Sequence, residues 1–397
     1  MKITRLETVY LPDTSSNTIW VEVHTDEGIV GLGETFYNPL TVTAYIHEVA
    51  APYLIGKDPL RIDRHSRDLA GFLGFNSTGA ETRGNSAIDI ALWDIFGQVT
   101  GQPVWQLLGG LSREQVRIYN TCAGYGGQGF GNRAMNVSAG KGSRRHEDYE
   151  ASLNNPAELA QDLLSEGITA MKIWPFKQFQ TGNLTMELDP AQIKKGLEPL
   201  QKIRKAVGEK MEIMLELNNS FNLPTAKRLA HYADEFEPFW YEDPIRADDL
   251  MALQSFASAT HVPLAASETL ATRWSFRDLL ACRAAGILLL DLSWCGGISE
   301  AKKIAAMAEA HQLPVAAHDC TGPVVLSASL HLSFNAPNAL MQEAVRAYYR
   351  GWYLDVVSGL PEIVNGYAAA PRAPGLGIKL LPDAKARQGA IVHSTFS

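Results

Sequence analysis

The sequence predicts an α/β barrel entered through an α+β segment, and three observations carry that prediction. Short apolar runs alternate with longer helical patterns over about 250 residues from Val116 onward, which restricts the fold to a closed α/β barrel or a doubly wound sheet. No G-x-G-x-x-G or G-x-x-x-x-G-K-[ST] loop follows a strand, so the phosphate cradle of the nucleotide-binding sheets is missing. The residue that ends each apolar run is ionisable, and strand ends are where a barrel places its chemistry.

The first hundred residues mix alternating strands such as Trp20-Val21-Glu22-Val23-His24 with turn signals such as Thr25-Asp26-Glu27-Gly28, and then turn helical. Ser86 is expected to cap a helix whose Ile88, Ala91, Leu92 and Ile95 share one buried face, with Gly101 and Pro103 ending it. Strands are expected at Ile168 to Ile173, Ile213 to Leu217, Phe239 to Tyr241, Leu264 to Ala266, Ile287 to Leu290 and Val315 to Ala317. Helices begin near Pro156, Pro190, Pro224, Ser299 and Pro323, where proline suits a first turn whose amides have no partner. Residues 126–150 and 177–189 are long connections, each a lid or a plain surface insertion. Beyond Leu360 the chain is rich in proline and glycine, an irregular tail that packs back on the molecule.

With 397 residues, 46% hydrophobic and 20% charged, the chain can bury a sizeable core. A net charge of −8 without a basic run argues against nucleic acid or an anionic membrane as partner and for a small molecule. No apolar stretch is long enough to span a membrane and the first residues lack a signal peptide's apolar core, so the expected location is the cytoplasm. Four cysteines in no C-x-x-C pair read as reduced thiols.

The strand ends are Lys172, Glu216, Glu242, Glu268, Asp291, His318 and Glu343, the last six separated by 23 to 27 residues, one strand and helix apart. Any one of them alone reads as a cap or a solvated loop residue. As a set, Glu216, Glu242 and Glu268 on adjacent strands converge at the barrel mouth, a costly cluster without a hard divalent cation; an all-oxygen set favours Mg²⁺ over zinc. Asp291 can hold one nitrogen of His318 and leave the other as a base. Lys172 beside a metal reads as base, electrophile or ion pair.

These residues sit in motifs that resemble the enolase superfamily, mandelate racemase subgroup, over nearly the whole chain. Gly31-Leu32-Gly33-Glu34, Ser86 to Ile95 and Leu107-Leu108-Gly109-Gly110 resemble its capping domain; Glu216-Leu217-Asn218, Glu242-Asp243-Pro244 and Ser267-Glu268 its metal motifs; Asp291 with Gly296-Gly297-Ile298, and His318-Asp319, its Asp-His dyad; Glu343 its eighth-strand glutamate; and Pro374-Gly375-Leu376-Gly377 its terminal turn. The resemblance implies a modified TIM barrel, (β/α)₇β, over residues 116–360, a capping domain over 1–115 completed by the tail 361–397, and a homo-oligomer, dimer or octamer. It also implies Mg²⁺ on Glu216, Glu242 and Glu268, with the segments Ser15 to Trp20 and Phe36 to Asn38 setting substrate choice. Read from the residues themselves, Asn218, Trp174, Asn120 and Arg346 are candidate substrate contacts near the pocket, Asn218 foremost because it follows a ligand by two and so points to the same side of its strand. One departure bears on the reaction. Two-base relatives carry Lys-x-Lys at the second strand, whereas Lys172-Ile173-Trp174 has an aromatic in the second position. A one-base dehydration of an acid sugar, aldonate or aldarate, to a 2-keto-3-deoxy acid is therefore expected. His318 removes the α-proton, Lys172 and Mg²⁺ stabilise the enediolate, and a protonated or proton-sharing Glu343 bonds the substrate carboxylate. A racemase or epimerase of an α-substituted acid is the enzymatic alternative, and an inactive ligand-binding barrel the other.

Overall fold

The computed structural model describes residues 1–71, 78–125, 146–180 and 186–397. Most of the connection 126–150 and residues 181–185 of the connection 177–189 lie outside the described residues, and with them the lid expectation. An antiparallel meander opens the chain: β1 (Ile3–Tyr10), β2 (Thr18–Thr25) and β3 (Val30–Phe36). The helix Ala80–Thr100 packs across β3, with the close approach secured at Gly31 and Gly33, where any side chain would collide with the helix backbone at Ala91 and Ala87. This helix starts six residues before Ser86, which is not its cap. Ser86 is buried mid-helix, donating to the Thr82 carbonyl at 2.6 Å and accepting from the Gly296 amide at 3.0 Å. Gly101, with φ 67°, ends the helix as expected.

Eight parallel strands follow: β4 (Gln115–Thr121), β5 (Ala170–Ile173), β6 (Glu212–Glu216), β7 (Trp240–Glu242), β8 (Leu264–Ala266), β9 (Ile287–Leu290), β10 (Val315–Ala317) and β11 (Ala339–Ala344). Each pairs with the next and β11 pairs with β4, which closes the barrel. Helices stand between strands where the proline signals place them, at Pro156–Ser165, Pro190–Val207, Leu223–Ala233, Gly297–Ala310 and Pro323–Asn335.

The tail divides. Ile391–Phe396 adds a strand to the free edge of β1, whereas the hairpin of Ile363–Val364 and Tyr367–Ala369 pairs with β4 of the barrel and not with the N-terminal sheet. Among the described residues, no helix is long and apolar enough to cross a membrane.

Inside the barrel, Tyr119, Ala170, Met214, Trp240, Ala265, Ile287, Leu289, Ala316 and Met341 form one buried cluster. Side chains along a strand alternate between its faces, so the next inward position lies two residues further on. Two past Ala170, Met214, Trp240, Leu289, Ala316 and Met341 stand Lys172, Glu216, Glu242, Asp291, His318 and Glu343. The apolar layer is the floor on which the polar layer rests.

Candidate active site

The polar layer is a compact charge network. Ligand oxygens of Glu216, Glu242 and Glu268 all lie within 4.8 Å of one another. Lys172 reaches across the barrel to Glu242, to Glu343 Oε1 at 2.8 Å and to Glu216 at 3.5 Å. His318 Nδ1 lies 2.8 Å from Asp291 Oδ2, and its Nε2 lies 3.1 Å from Glu268 Oε2. Asp291 is fixed in turn by the amide and hydroxyl of Ser293, at 2.7 and 2.6 Å on Oδ1. The imidazole is therefore held on its Asp291 side and presents Nε2 to the carboxylate cluster.

Glu268 departs from the alternation. Two residues past Ala265 is Ser267, whose hydroxyl donates to Asp243 at 2.9 Å, and Glu268 enters from the loop one residue later. Asn218 likewise lies beyond β6 with φ 53°, so strand alternation does not aim it. The turn does, with its amide donating to Glu216 Oε1 at 2.7 Å.

Electrostatics separates the carboxylates. Burial, reinforced by mutual repulsion, raises Glu216 and Glu268 to about 7 and Glu242 well above its ordinary value. Glu343 goes the other way. Burial opposes its ionisation, but Lys172, His318 and the Thr121 hydroxyl outweigh that and hold it far below the usual carboxylate range. The Asp319 amide adds a bond to Oε2 at 3.0 Å. The sequence predicts a protonated or proton-sharing Glu343; its nearest partners here are cations and donors, which favour the carboxylate. For His318, burial would depress the imidazole, yet Glu268, Glu343 and Asp291 together hold it well above 6.5.

The residues present fit a divalent cation. Three carboxylates too close to ionise freely, with no cysteine in the set, form a hard oxygen cage, and a cation would return them to the ionised state.

The cavity over this network is lined by Phe36, Tyr37, Lys172, Trp174, Glu216, Asn218, Glu268, Trp294, His318, Cys320 and Thr321. Of the candidate substrate contacts, the structure brings Trp174 and Asn218 to it. It does not bring Asn120 or Arg346. Asn120 donates to Asp148 at 3.0 Å and accepts from the Arg346 amide. Arg346, only 2% exposed, forks onto Asp148 at 2.7 and 2.8 Å and reaches Asp162 and Glu166. Both are committed to anchoring the helices after β4, because a buried guanidinium takes the nearest carboxylates. Of the two N-terminal segments, Phe36 and Tyr37 line the cavity, while Thr18 reaches its edge through the Thr321 carbonyl at 3.1 Å.

Trp294 and Thr121 escape a search for ionisable strand ends, because neither is charged. Trp294 packs on His318 with ring centres 5.3 Å apart, and Arg83 from the N-terminal helix lies 4.4 Å above its ring while donating to the Phe36 carbonyl. The signal available for Trp294 was its place in the loop opened by Asp291. Lys177 stands 5.0 Å from the Trp174 ring, and burial pushes its ammonium down to about 8.

Residues 155–384 match the model of the enolase C-terminal domain-like family, and residues 12–109 match that of the mandelate racemase / muconate lactonizing enzyme N-terminal domain. The chain belongs to this family. It is 33% identical over 389 residues to a D-galactonate dehydratase of Ralstonia pickettii, covering 96% of this chain and 92% of the relative. A protein of the same name from Ralstonia nicotianae is 34% identical over equal shares. A crystal structure of an enolase of the mandelate racemase subgroup from Agrobacterium tumefaciens superposes with a TM-score of 0.88 at 49% identity, over 100% of this chain and 99% of that one. An enolase protein from Sargasso Sea environmental sequences superposes equally well at 40% identity over the same shares. An enolase-superfamily enzyme with an N-terminal antiparallel unit over a closed parallel barrel is thus established.

Proposed function

We propose that this enzyme dehydrates an acid sugar, an aldonate or aldarate, to the 2-keto-3-deoxy acid, with Mg²⁺ held by Glu216, Glu242 and Glu268. The observation that carries the reading is the asymmetry of the site. One Asp-supported histidine serves one side, and an indole stands where two-base relatives have a second lysine. The two Ralstonia relatives named as D-galactonate dehydratases support the choice of substrate class.

Glu268, which faces His318 Nε2 at 3.1 Å and raises its pKa, would be engaged by a bound cation, and the neutral imidazole, oriented through Nδ1 by Asp291, then accepts the α-proton at Nε2. Glu216, Glu242 and Glu268 would hold a divalent cation, which would supply positive charge to offset the charge developing on the substrate carboxylate. Lys172, kept as an ammonium by the carboxylates around it, adds a second positive charge to the same region. Glu343, through Lys172 and Thr121, fixes that ammonium. Loss of the 3-hydroxyl needs a proton, which His318 holds once it has taken the first. The ketone forms when the resulting enol is protonated at C3.

The test is a panel of aldonates and aldarates, D-galactonate among them, incubated with enzyme and Mg²⁺ and assayed for a 2-keto acid. Formation of a 2-keto-3-deoxy acid from one member supports the reading. Inversion at C2 without loss of water would replace it with the epimerase.

A further inference from the structure

Six of the eight tryptophans have a place in the fold outside the cavity. Trp93 donates to Ser299 at 2.9 Å, Trp105 to the Pro371 carbonyl at 2.7 Å and Trp240 to Glu242 at 2.8 Å. Trp20 is buried in β2 beside Glu34 and Trp352 in an aromatic cluster with Tyr348 and Tyr353; both also keep a buried indole N–H without an acceptor at hydrogen-bond distance, but neither lines the cavity, and Trp274 is half-exposed. The other two, Trp174 and Trp294, line the cavity. Both are about 95% buried, at 5% and 4% exposure, and the indole N–H of each is shielded from solvent without a hydrogen-bond acceptor.

An indole nitrogen is a donor and nothing else, and at Trp174 and Trp294, unlike Trp20 and Trp352, the unpartnered donor belongs to a ring that lines the cavity, where a ligand can supply the acceptor. Position sharpens the point. Trp174 follows β5 and Trp294 follows β9, four strands apart in a ring of eight, so they stand on opposite sides of the mouth. Trp294 packs against His318 at a 42° tilt and is held from above by Arg83, and Trp174 is flanked by Tyr149 and Lys177. Neither ring is left to find its own orientation.

We propose that Trp174 and Trp294 are substrate-recognition residues, each donating its indole N–H to a different oxygen of one bound polyhydroxy acid. This deepens the acid-sugar reading and rests on it. A ligand that satisfies both donors must carry acceptor oxygens on both sides of the carbon that faces His318. A sugar acid meets that requirement. A short 2-hydroxy acid such as lactate, whose oxygens are confined to C1 and C2 at the metal-binding end, does not.

The test uses ¹⁵N-labelled full-length protein carrying His318→Asn, so that the acid stays bound without turnover. Trp174→Phe and Trp294→Phe, which keep a ring and delete the N–H, assign two of the indole signals. The probes are Mg²⁺ with D-galactonate, with the other panel acids, and with lactate. Both assigned signals are expected to move downfield with a sugar acid, and at most one with lactate. In the otherwise native enzyme each Phe variant should lower kcat/KM roughly 2- to 10-fold, the worth of one hydrogen bond, leaving α-proton exchange into solvent measurable. A sugar acid that saturates the protein while one or neither signal moves overturns the proposal. Movement of both signals with no 2-keto acid formed by native enzyme leaves it standing and removes the dehydratase reading. If no panel acid binds, both fall.

Discussion

Carboxylates are buried in two regions of this molecule, and their company differs. At the seam between the N-terminal unit and the barrel, each finds backbone amides. Asp94 accepts from Leu376 at 2.8 Å and from Leu32 at 3.0 Å, with Gln98 at 2.9 Å; Asp89 accepts from Ser299 at 2.9 Å; and Glu34 accepts from Val325 at 3.0 Å at the start of the helix Pro323–Asn335. At the mouth, Glu216, Glu242 and Glu268 chiefly meet one another, with Lys172 and His318 as counterweights. Burial raises carboxyl groups in both places, Asp94 to about 6 and Glu216 to about 7. The amides at the seam are permanent partners, so those acids hold the fold together. The mouth is short of positive charge, which a divalent cation held by the three glutamates would supply.

That contrast should break in opposite directions under substitution. Glu268→Gln is expected to lower activity by about three orders of magnitude, since a bound cation contributes several kcal/mol to stabilising developing charge. Mg²⁺ affinity by calorimetry should fall with it. The melting temperature of the metal-free protein should stay level or rise, because one of three repelling acids is gone. Asp94→Ala should do the reverse, costing about 3 kcal/mol in urea unfolding through several orphaned N–H groups while kcat of the folded protein holds.

A histidine sharpens the same comparison. His331 is fully buried at the seam, its Nδ1 accepting from the Trp105 amide at 3.1 Å and its Nε2 donating to the Leu376 carbonyl at 3.2 Å. Burial depresses it from 6.5 to about 4. Its contribution is therefore complete above pH 6.5 and is lost as pH falls through about 4, a term of about 3 kcal/mol. His331→Gln should flatten the acid limb of the stability profile between those values, measured by urea unfolding at each pH. His318, surrounded by carboxylates and held the other way, is the mouth's counterpart. The smallest effect belongs to the residue that joins the two regions. Arg83→Met removes the bond to Phe36 and the stack on Trp294, and should raise KM roughly 5-fold with kcat little changed, a loss the size of a cation–π contact and one hydrogen bond.

Much of this was legible in the sequence because a barrel repeats its chemistry at a fixed spacing. Lys172, Glu216, Glu242, Asp291, His318 and Glu343 all sit two residues beyond an inward apolar side chain, so reading the strand ends finds them. Glu268 was found by the same reading although its strand does not aim it; its loop does. What alternation cannot show is where a polar side chain spends its hydrogen bonds. Arg346 and Asn120 sit near strand ends yet serve Asp148, a partner whose approach depends on a connection the local pattern does not encode. Ser86 misled for a related reason. A serine ahead of an apolar face resembles a cap, but here it is a mid-helix contact to Gly296, 210 residues away. Trp294 carries no charge and its role comes from what stacks on it.

The most direct test of the account follows D-galactonate, or whichever panel acid turns over, by proton NMR in D₂O with Mg²⁺, native enzyme beside His318→Asn. The account predicts a 2-keto-3-deoxy product with native enzyme and neither product nor washout of the α-proton with the variant. Washout that persists in His318→Asn would contradict it, because the α-proton would then be leaving to a base other than His318.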